Sequence, residues 1–256
     1  MIHPTASIAA GAHIGAGVHI GPCAVIEDDV VIGEGCRIAA HAVIKRHTRM
    51  GARNRVYEHA VIGGDPQDLK FAPDTLSYTE IGDDNVMREG VTVHRGSRPD
   101  SATRIGNGCF LMATAHVAHD CVLGNQVIMA NTATLGGEVV IYDRAFLSGA
   151  VNVHQFCRVG RNAMIGGCSK ITQDCLPFCI TDGNPSRARG LNLVGLRRSG
   201  FAAADITALK DAYRMLHRRL PLATAIESMK ASASAPVLEL AAFLESGKRG
   251  FAHPRA

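Results

Sequence analysis

Aliphatic residues recur along this chain every six positions. They occupy Ile8, Ile14, Ile20, Ile26, Ile32, Ile38, Ile44, Met50, Val56 and Ile62, and return at Ile81, Met87 and Val93. The series then runs without a gap from Ile105 to Ile171. Four residues after the aliphatic comes a small or β-branched residue, as at Ala12, Val18, Ala24, Val30, Cys36 and Ala42. One residue after it Gly is frequent, as at Gly15, Gly21, Gly33, Gly51, Gly106 and Gly124. A period of six fits neither the 3.6 of an α-helix nor the 2 of a simple strand. It predicts short strands joined by tight turns, three strands to a coil, each sending one aliphatic and one small side chain inward. Such coils stack about 4.8 Å apart, each backbone pairing with the coil above and below. The recurring Gly is expected to supply the positive φ that sharp corners need.

Two segments interrupt the pattern, residues 63–80 and residues 96–104. Long excursions from a rigid solenoid are where function concentrates. The hexads end near Pro177, and from Ala202 the spacing of Ile206, Leu209, Ala212, Tyr213, Leu216 and Leu220 becomes helical. A second helix is predicted from Pro221, which suits a first helical position, to Met229, and a third from Pro236 to Leu244. An open solenoid end exposes unpaired strands, so a helical cap is expected there. The expected architecture is mainly β. A left-handed parallel β-helix spans residues 1–186, and a C-terminal α-helical domain spans residues 187–256.

Composition narrows this picture. The 256 residues are 46% hydrophobic but only 5% aromatic, with no Trp, which suits a narrow, regular core of Val, Ile, Leu, Ala and Cys. No stretch approaches the roughly 20 apolar residues of a membrane span. Met1-Ile2-His3-Pro4 lacks the basic and apolar regions of a signal peptide, so a cytoplasmic protein is expected. Of the 8 cysteines, Cys36, Cys109, Cys121, Cys157 and Cys175 share the small-residue slot and no CxxC pair occurs. They read as reduced, buried small hydrophobes. The net charge is +4, and basic residues gather in the last third, among them Arg187, Arg189, Arg214, Arg218 and Arg219. That cluster is either a solvated helical surface or a dock for an acidic or phosphate-bearing partner. No cofactor, metal or nucleic-acid partner is expected.

Distinctive strings lie on this frame. In order they are Gln67-Asp68-Leu69-Lys70, Val93-His94-Arg95-Gly96, Ala115-His116-Val117-Ala118-His119-Asp120-Cys121, Val153-His154-Gln155-Phe156, Ile165-Gly166-Gly167-Cys168-Ser169 and Gly195-Leu196-Arg197-Arg198-Ser199-Gly200-Phe201. The ordered set resembles the acyl-ACP–UDP-N-acetylglucosamine O-acyltransferases over essentially the whole chain. That resemblance implies transfer of a 3-hydroxyacyl group from acyl carrier protein to the 3-OH of UDP-N-acetylglucosamine, the step that begins lipid A biosynthesis. It also implies a homotrimer with sites between neighbouring prisms. Acyl transfer from a thioester to a hydroxyl needs a general base and donors for the oxyanion. The resemblance assigns the base to His119, an orienting role to Asp120, and the oxyanion donor to the Gly137 amide. It places His116 and His154 against the sugar or acyl chain, and Asp68 and Lys70 against the sugar and its phosphates. Gln155, Asn192 and Arg198 would hold the nucleotide. Gly167 would floor the acyl groove, its missing side chain leaving room for a longer chain.

Three positions depart from the family pattern. Glu138 stands where His is common, Ser199 where a second basic residue is usual, and Lys170 where a small residue is common. A carboxylate at 138 would suit a cationic amino sugar, so a paralogous acyltransferase acting on a 3-amino sugar nucleotide or a different donor is the first alternative. A zinc enzyme like the γ-class carbonic anhydrases would need three His ligands. His116 and His119 are three apart in sequence, whereas that family spaces its paired ligands more widely. A non-catalytic scaffold is the third alternative. Lys70, His119 and Arg198 together weigh against it.

Overall fold

The computed structural model describes residues 1–218 and 220–254. Among the described residues, three sheets of 9, 8 and 10 strands, parallel except at the last hairpin, form the faces of a left-handed β-helical prism, and along the prism a strand hydrogen-bonds to the strand three elements on. Most strands are two residues long, because a six-residue hexad leaves room for little more than a corner besides. Ser7–Ile8 pairs with Val25–Ile26, and His116–Val117 pairs with Thr134–Leu135. An offset of 18 residues therefore makes one coil of three hexads. It puts like residues in register, and along one face Ile26, Ile44, Ile62, Val93, Val117, Leu135, Val153 and Ile171 form a continuous ladder. Every rung is at most 4% exposed. Burying each such side chain stabilises the fold by about 1.5–3 kcal/mol, an upper figure for a compact denatured chain.

The corners are built differently from the expectation. Positive φ falls three residues after the aliphatic, mostly on residues other than Gly: His41, His47, Arg53, Thr114, Asp120, Gln126, Thr132, Glu138 and Arg144 all lie between 56° and 63°. The recurring Gly sits two residues earlier and does not adopt positive φ. A Cβ on Gly15, Gly33 or Gly106 would lie 2.5–2.8 Å from backbone atoms of the next coil. Close stacking of coils selects that Gly. In the small slot, Cys36, Cys109 and Cys121 donate through Sγ to the carbonyls of Gly51, Gly124 and Gly136 on the following coil. All 8 cysteines are free, and burial pushes the Cys109 thiol up to about 11 and that of Cys121 up to about 12.

The two excursions leave the prism between strands Val61–Gly64 and Tyr78–Ile81, and between Thr92–His94 and Ala102–Ile105. At the far end, Cys179–Asp182 and Arg187–Leu191 form an antiparallel hairpin that extends the third sheet. Four helices follow: α1 (Leu193–Arg198), α2 (Ala203–His217), α3 (Leu222–Lys230) and α4 (Ala235–Glu245). Helix α1 was not anticipated, since six residues are too few to show a helical period. Pro221 stands at the N-cap of α3, one position earlier than expected. Leu176, Phe178, Leu196, Leu209, Ala212, Met229 and Leu240 make a second core between hairpin and helices. Arg158 rivets this cap to the prism, 2.7 Å from the Asp174 carboxylate and 4.0 Å over the Phe243 ring. Among the described residues no helix is long and apolar enough to cross a membrane.

Candidate active site

One edge of the prism gathers the titratable side chains of the candidate site. Asp120, Glu138 and Phe156 occupy the same corner of three successive coils, each with positive φ. Beside the first of them, His119 Nδ1 lies 2.8 Å from Asp120 Oδ2. The Asp120 side chain is 5% exposed. Its Oδ2 also accepts from Ser97 Oγ at 2.6 Å and from the Ser97 amide at 3.1 Å. Burial pushes this carboxyl up, but hydrogen bonds from Ser97, Ser101 and His119 outweigh burial and hold its pKa below the ordinary value. An ionised Asp120 only accepts, so Nδ1 carries the proton and Nε2 of a neutral His119 is left as the basic atom. That ring lies against Gly137, where a Cβ would fall 2.6 Å from Nε2. Gly137 therefore has no side chain because the imidazole fills the space. Its amide donates to no group among the described residues.

The long excursion brings Asp68 and Lys70 to the same place. Asp68 Oδ1 accepts from the Lys70 amide at 3.0 Å, which turns the loop tip. With Arg98, His119, Glu138, Gln155 and Phe156, these residues line one cleft of about 750 Å³. The loop is held by a residue that one of the distinctive strings contains but to which no role was assigned. Arg95 is 1% exposed, and its guanidinium donates to Asp65 Oδ1, Thr75 O and Pro73 O and lies 5.0 Å from the Phe71 ring. Ser97 and Arg98 were likewise unassigned in the sequence. All three lie in or beside the short excursion, and no periodic signal marks them.

The remaining expected residues are not gathered into that cleft within one chain. His116 is half-buried on the adjoining face, with Nδ1 2.7 Å from Thr92 Oγ1 and its ring 4.7 Å from that of His94. Burial, reinforced by His116 and His119, pushes the His94 imidazole down to about 4. The exposed His154 donates from Nδ1 to Gln155 O at 3.1 Å. Gly167 is exposed, and a Cβ there would meet only ordinary contacts. Asn192 caps α1, its Oδ1 accepting from the Gly195 amide while Nδ2 donates to Asn162 O. Arg198 is exposed in the last turn of α1.

The three departures also acquire surroundings. Ser199 accepts from Asn162 Nδ2 at 2.7 Å and so fastens α1 to the prism. Lys170 is exposed on its strand. Glu138 is paired, its Oε1 accepting from Arg98 Nη1 at 2.7 Å. The carboxylate that motivated an amino-sugar acceptor is thus already neutralised.

Comparison with known proteins accords with this geometry. Residues 174–252 match a family profile described as UDP-N-acetylglucosamine O-acyltransferase, domain 2. Residues 11–46 and 102–137 match one described as bacterial transferase hexapeptide. An acyl-[acyl-carrier-protein]–UDP-N-acetylglucosamine O-acyltransferase of Verminephrobacter eiseniae is 46% identical over 97% of this chain and 98% of its own. The chain belongs to the acyl-ACP–UDP-N-acetylglucosamine O-acyltransferase family. A member from Synechocystis is 45% identical over 70% of the chain, and that match spans 64% of the relative's length. The crystal structure of LpxA, a UDP-N-acetylglucosamine acyltransferase from Bacteroides fragilis, superposes with a TM-score of 0.94 at 39% identity, covering 98% of this chain and 99% of that one. Membership in this acyltransferase family also removes the carbonic-anhydrase-like reading.

Proposed function

We propose that the protein transfers a 3-hydroxyacyl group from acyl carrier protein to the 3-OH of UDP-N-acetylglucosamine, beginning lipid A biosynthesis in the cytoplasm. The observation that carries this reading is the His119–Asp120 dyad, whose ring packs against Gly137 and lines the cleft that Lys70 also lines. Nε2 takes the proton of the sugar hydroxyl as its oxygen attacks the thioester carbonyl. The tetrahedral oxyanion accepts from the Gly137 N–H. Collapse breaks the C–S bond, and the imidazolium returns its proton to the departing thiolate. Asp120 holds the tautomer and offsets the imidazolium charge. No covalent acyl-enzyme is required.

Lys70, with Asp68, meets the sugar and its phosphates, while His116 and His154 flank the sugar and acyl chain. Gln155, Asn192 and Arg198 hold the nucleotide, Arg198 through its charge on the diphosphate. Because these groups do not converge in one chain, a homotrimer closes the site from a neighbour. Leu69, wholly exposed at the loop tip, and the exposed Phe156 suit such a closure. A bare backbone at Gly167 leaves room for a longer acyl chain. The carrier docks on the cap, where Arg187 and Arg189 rim a cleft of about 780 Å³ lined by Leu216, Leu222 and Phe251. Of the other basic residues, Arg214 is paired with Asp211 at 2.8 Å and Arg219 lies outside the described residues. Charge reversal at Arg218 together with Arg187 weakens carrier binding and flattens its salt dependence; unchanged binding refutes that dock.

The test is incubation with 3-hydroxyacyl carrier protein and UDP-N-acetylglucosamine, with the product read by mass spectrometry. An ester at the 3-OH is expected. Turnover confined to a 3-amino acceptor, or none with donors of any chain length, overturns the reading.

A further inference from the structure

Glu138 stands one coil above Asp120 at the same corner, so two carboxylates are stacked beside one imidazole. Like charges at coil spacing normally push a proton onto one of the pair. Here a single guanidinium lies between them. Arg98 Nη1 donates to Glu138 Oε1 at 2.7 Å, and Nη2 lies 3.8 Å from Asp120 Oδ1. The amide and hydroxyl of the preceding residue, Ser97, both hold Asp120. The start of the short excursion is therefore a clasp over this corner. Glu138 is bound to the dyad by its backbone too, its amide donating to His119 O at 3.0 Å.

We propose that Arg98 is a positioning residue that clamps the carboxylates of Asp120 and Glu138 and keeps the Glu138 charge from acting on His119. The proposal rests on the functional reading above for its importance to turnover, though not for its electrostatics. Arg98 and Glu138 act as one unit: together nearly neutral at the dyad, apart of opposite effect. Freed from Arg98, Glu138 adds a negative charge near the ring and favours imidazolium. Freed from Glu138, Arg98 turns its whole charge on Asp120 and His119 and disfavours imidazolium. The other charged or titratable groups around the ring are Asp68 and Lys70 on the long loop, and His94 and His116 on the strands. None of them changes in the variants that separate the clamp.

The test is a carbon-13 histidine titration of the full-length protein by NMR, with the His119 signal assigned by its loss in His119→Gln. In Arg98→Met the protonation midpoint moves up by about half a pH unit, the size expected for one solvent-screened charge lining the same cleft. In Glu138→Gln it moves down by a similar amount. The double variant returns close to the parent value. Singles that leave the midpoint in place, or that move it in the same direction, overturn the clamp, as does a double variant that keeps the Arg98→Met shift. Should Arg98→Met fail to fold, Glu138→Gln decides alone: a downward shift supports the clamp and no shift refutes it. The readout needs no turnover. A protein that transferred no acyl group yet showed opposite shifts would sink the functional reading and leave the clamp standing.

Discussion

The prism holds two histidine–aspartate pairs with nearly the same bond. His47 Nδ1 lies 2.7 Å from Asp29 Oδ2, and His119 Nδ1 lies 2.8 Å from Asp120 Oδ2. The rings are equally covered, at 18% and 20% exposure. Their carboxylates are not: Asp29 is 45% exposed and Asp120 is 5%. Asp29 has only a long contact to Arg49, at 3.7 Å, whereas Asp120 is held by two Ser97 donors under the short excursion. Beyond the ring, His119 faces Gly137 and a cleft with Lys70, while His47 packs edge-on to Tyr78. The histidine–carboxylate bond alone thus does not tell the two corners apart. What distinguishes the second pair is a nearly buried carboxylate held by several donors, a glycine packed against the ring, and a cleft shared with the long excursion.

The largest expected effect follows directly. His119→Ala should lower kcat for acyl transfer by about 10²–10⁴-fold, the usual share of a general base, whereas His47→Ala should leave kcat within a factor of about two. Next comes the space beside the ring. Gly137→Ala puts a Cβ 2.5 Å from His119 Cε1 and should cost about a hundredfold in kcat with the fold retained, as checked by circular dichroism.

Comparison of these two corners also shows what a sequence can and cannot reveal. The coils were legible because every hexad repeats the same demand for an inward aliphatic and a small partner. His119, Asp120 and Lys70 stood out as candidates because they sit inside distinctive strings, and Gly137 through the family resemblance alone. The roles of Arg95, Ser97 and Arg98 were not legible, even though Arg95 lies inside a string, because their partners Asp65, Asp120 and Glu138 lie 30, 23 and 40 residues away in sequence. Such contacts depend on two aperiodic excursions meeting over one corner, and no spacing encodes that. Glycine misled for a related reason. The sequence shows a Gly at each corner but not whether φ or the neighbouring coil requires it. Glu138 read alone suggested a cationic acceptor, and only its partner Arg98 removes that argument.

Smaller effects sharpen the contrast. Arg95→Met releases the long excursion and should raise KM for UDP-N-acetylglucosamine by roughly tenfold, with proteolytic nicking between residues 65 and 77, because several charge-assisted hydrogen bonds are lost. The smallest effect concerns stability. His94 is held neutral in the fold, with a pKa near 4 against an unfolded value of about 6.5. Between those values the unfolded chain binds more protons, so stability rises with pH and falls as the solution is acidified. Going from pH 7 to pH 5.5 should cost about 1 kcal/mol through this residue. His94→Gln should flatten that slope in urea unfolding, and an unchanged slope would place the cause elsewhere.

If the surroundings of the carboxylate, and not the histidine–carboxylate bond, set the two corners apart, single-turnover acyl transfer by Asp120→Asn and Asp29→Asn, measured side by side, will separate them. A loss of about a hundredfold is expected for Asp120→Asn, through a misheld tautomer and lost charge, and a rate within about twofold of the parent for Asp29→Asn. Equal losses in the two variants, or an unimpaired Asp120→Asn, would contradict that distinction.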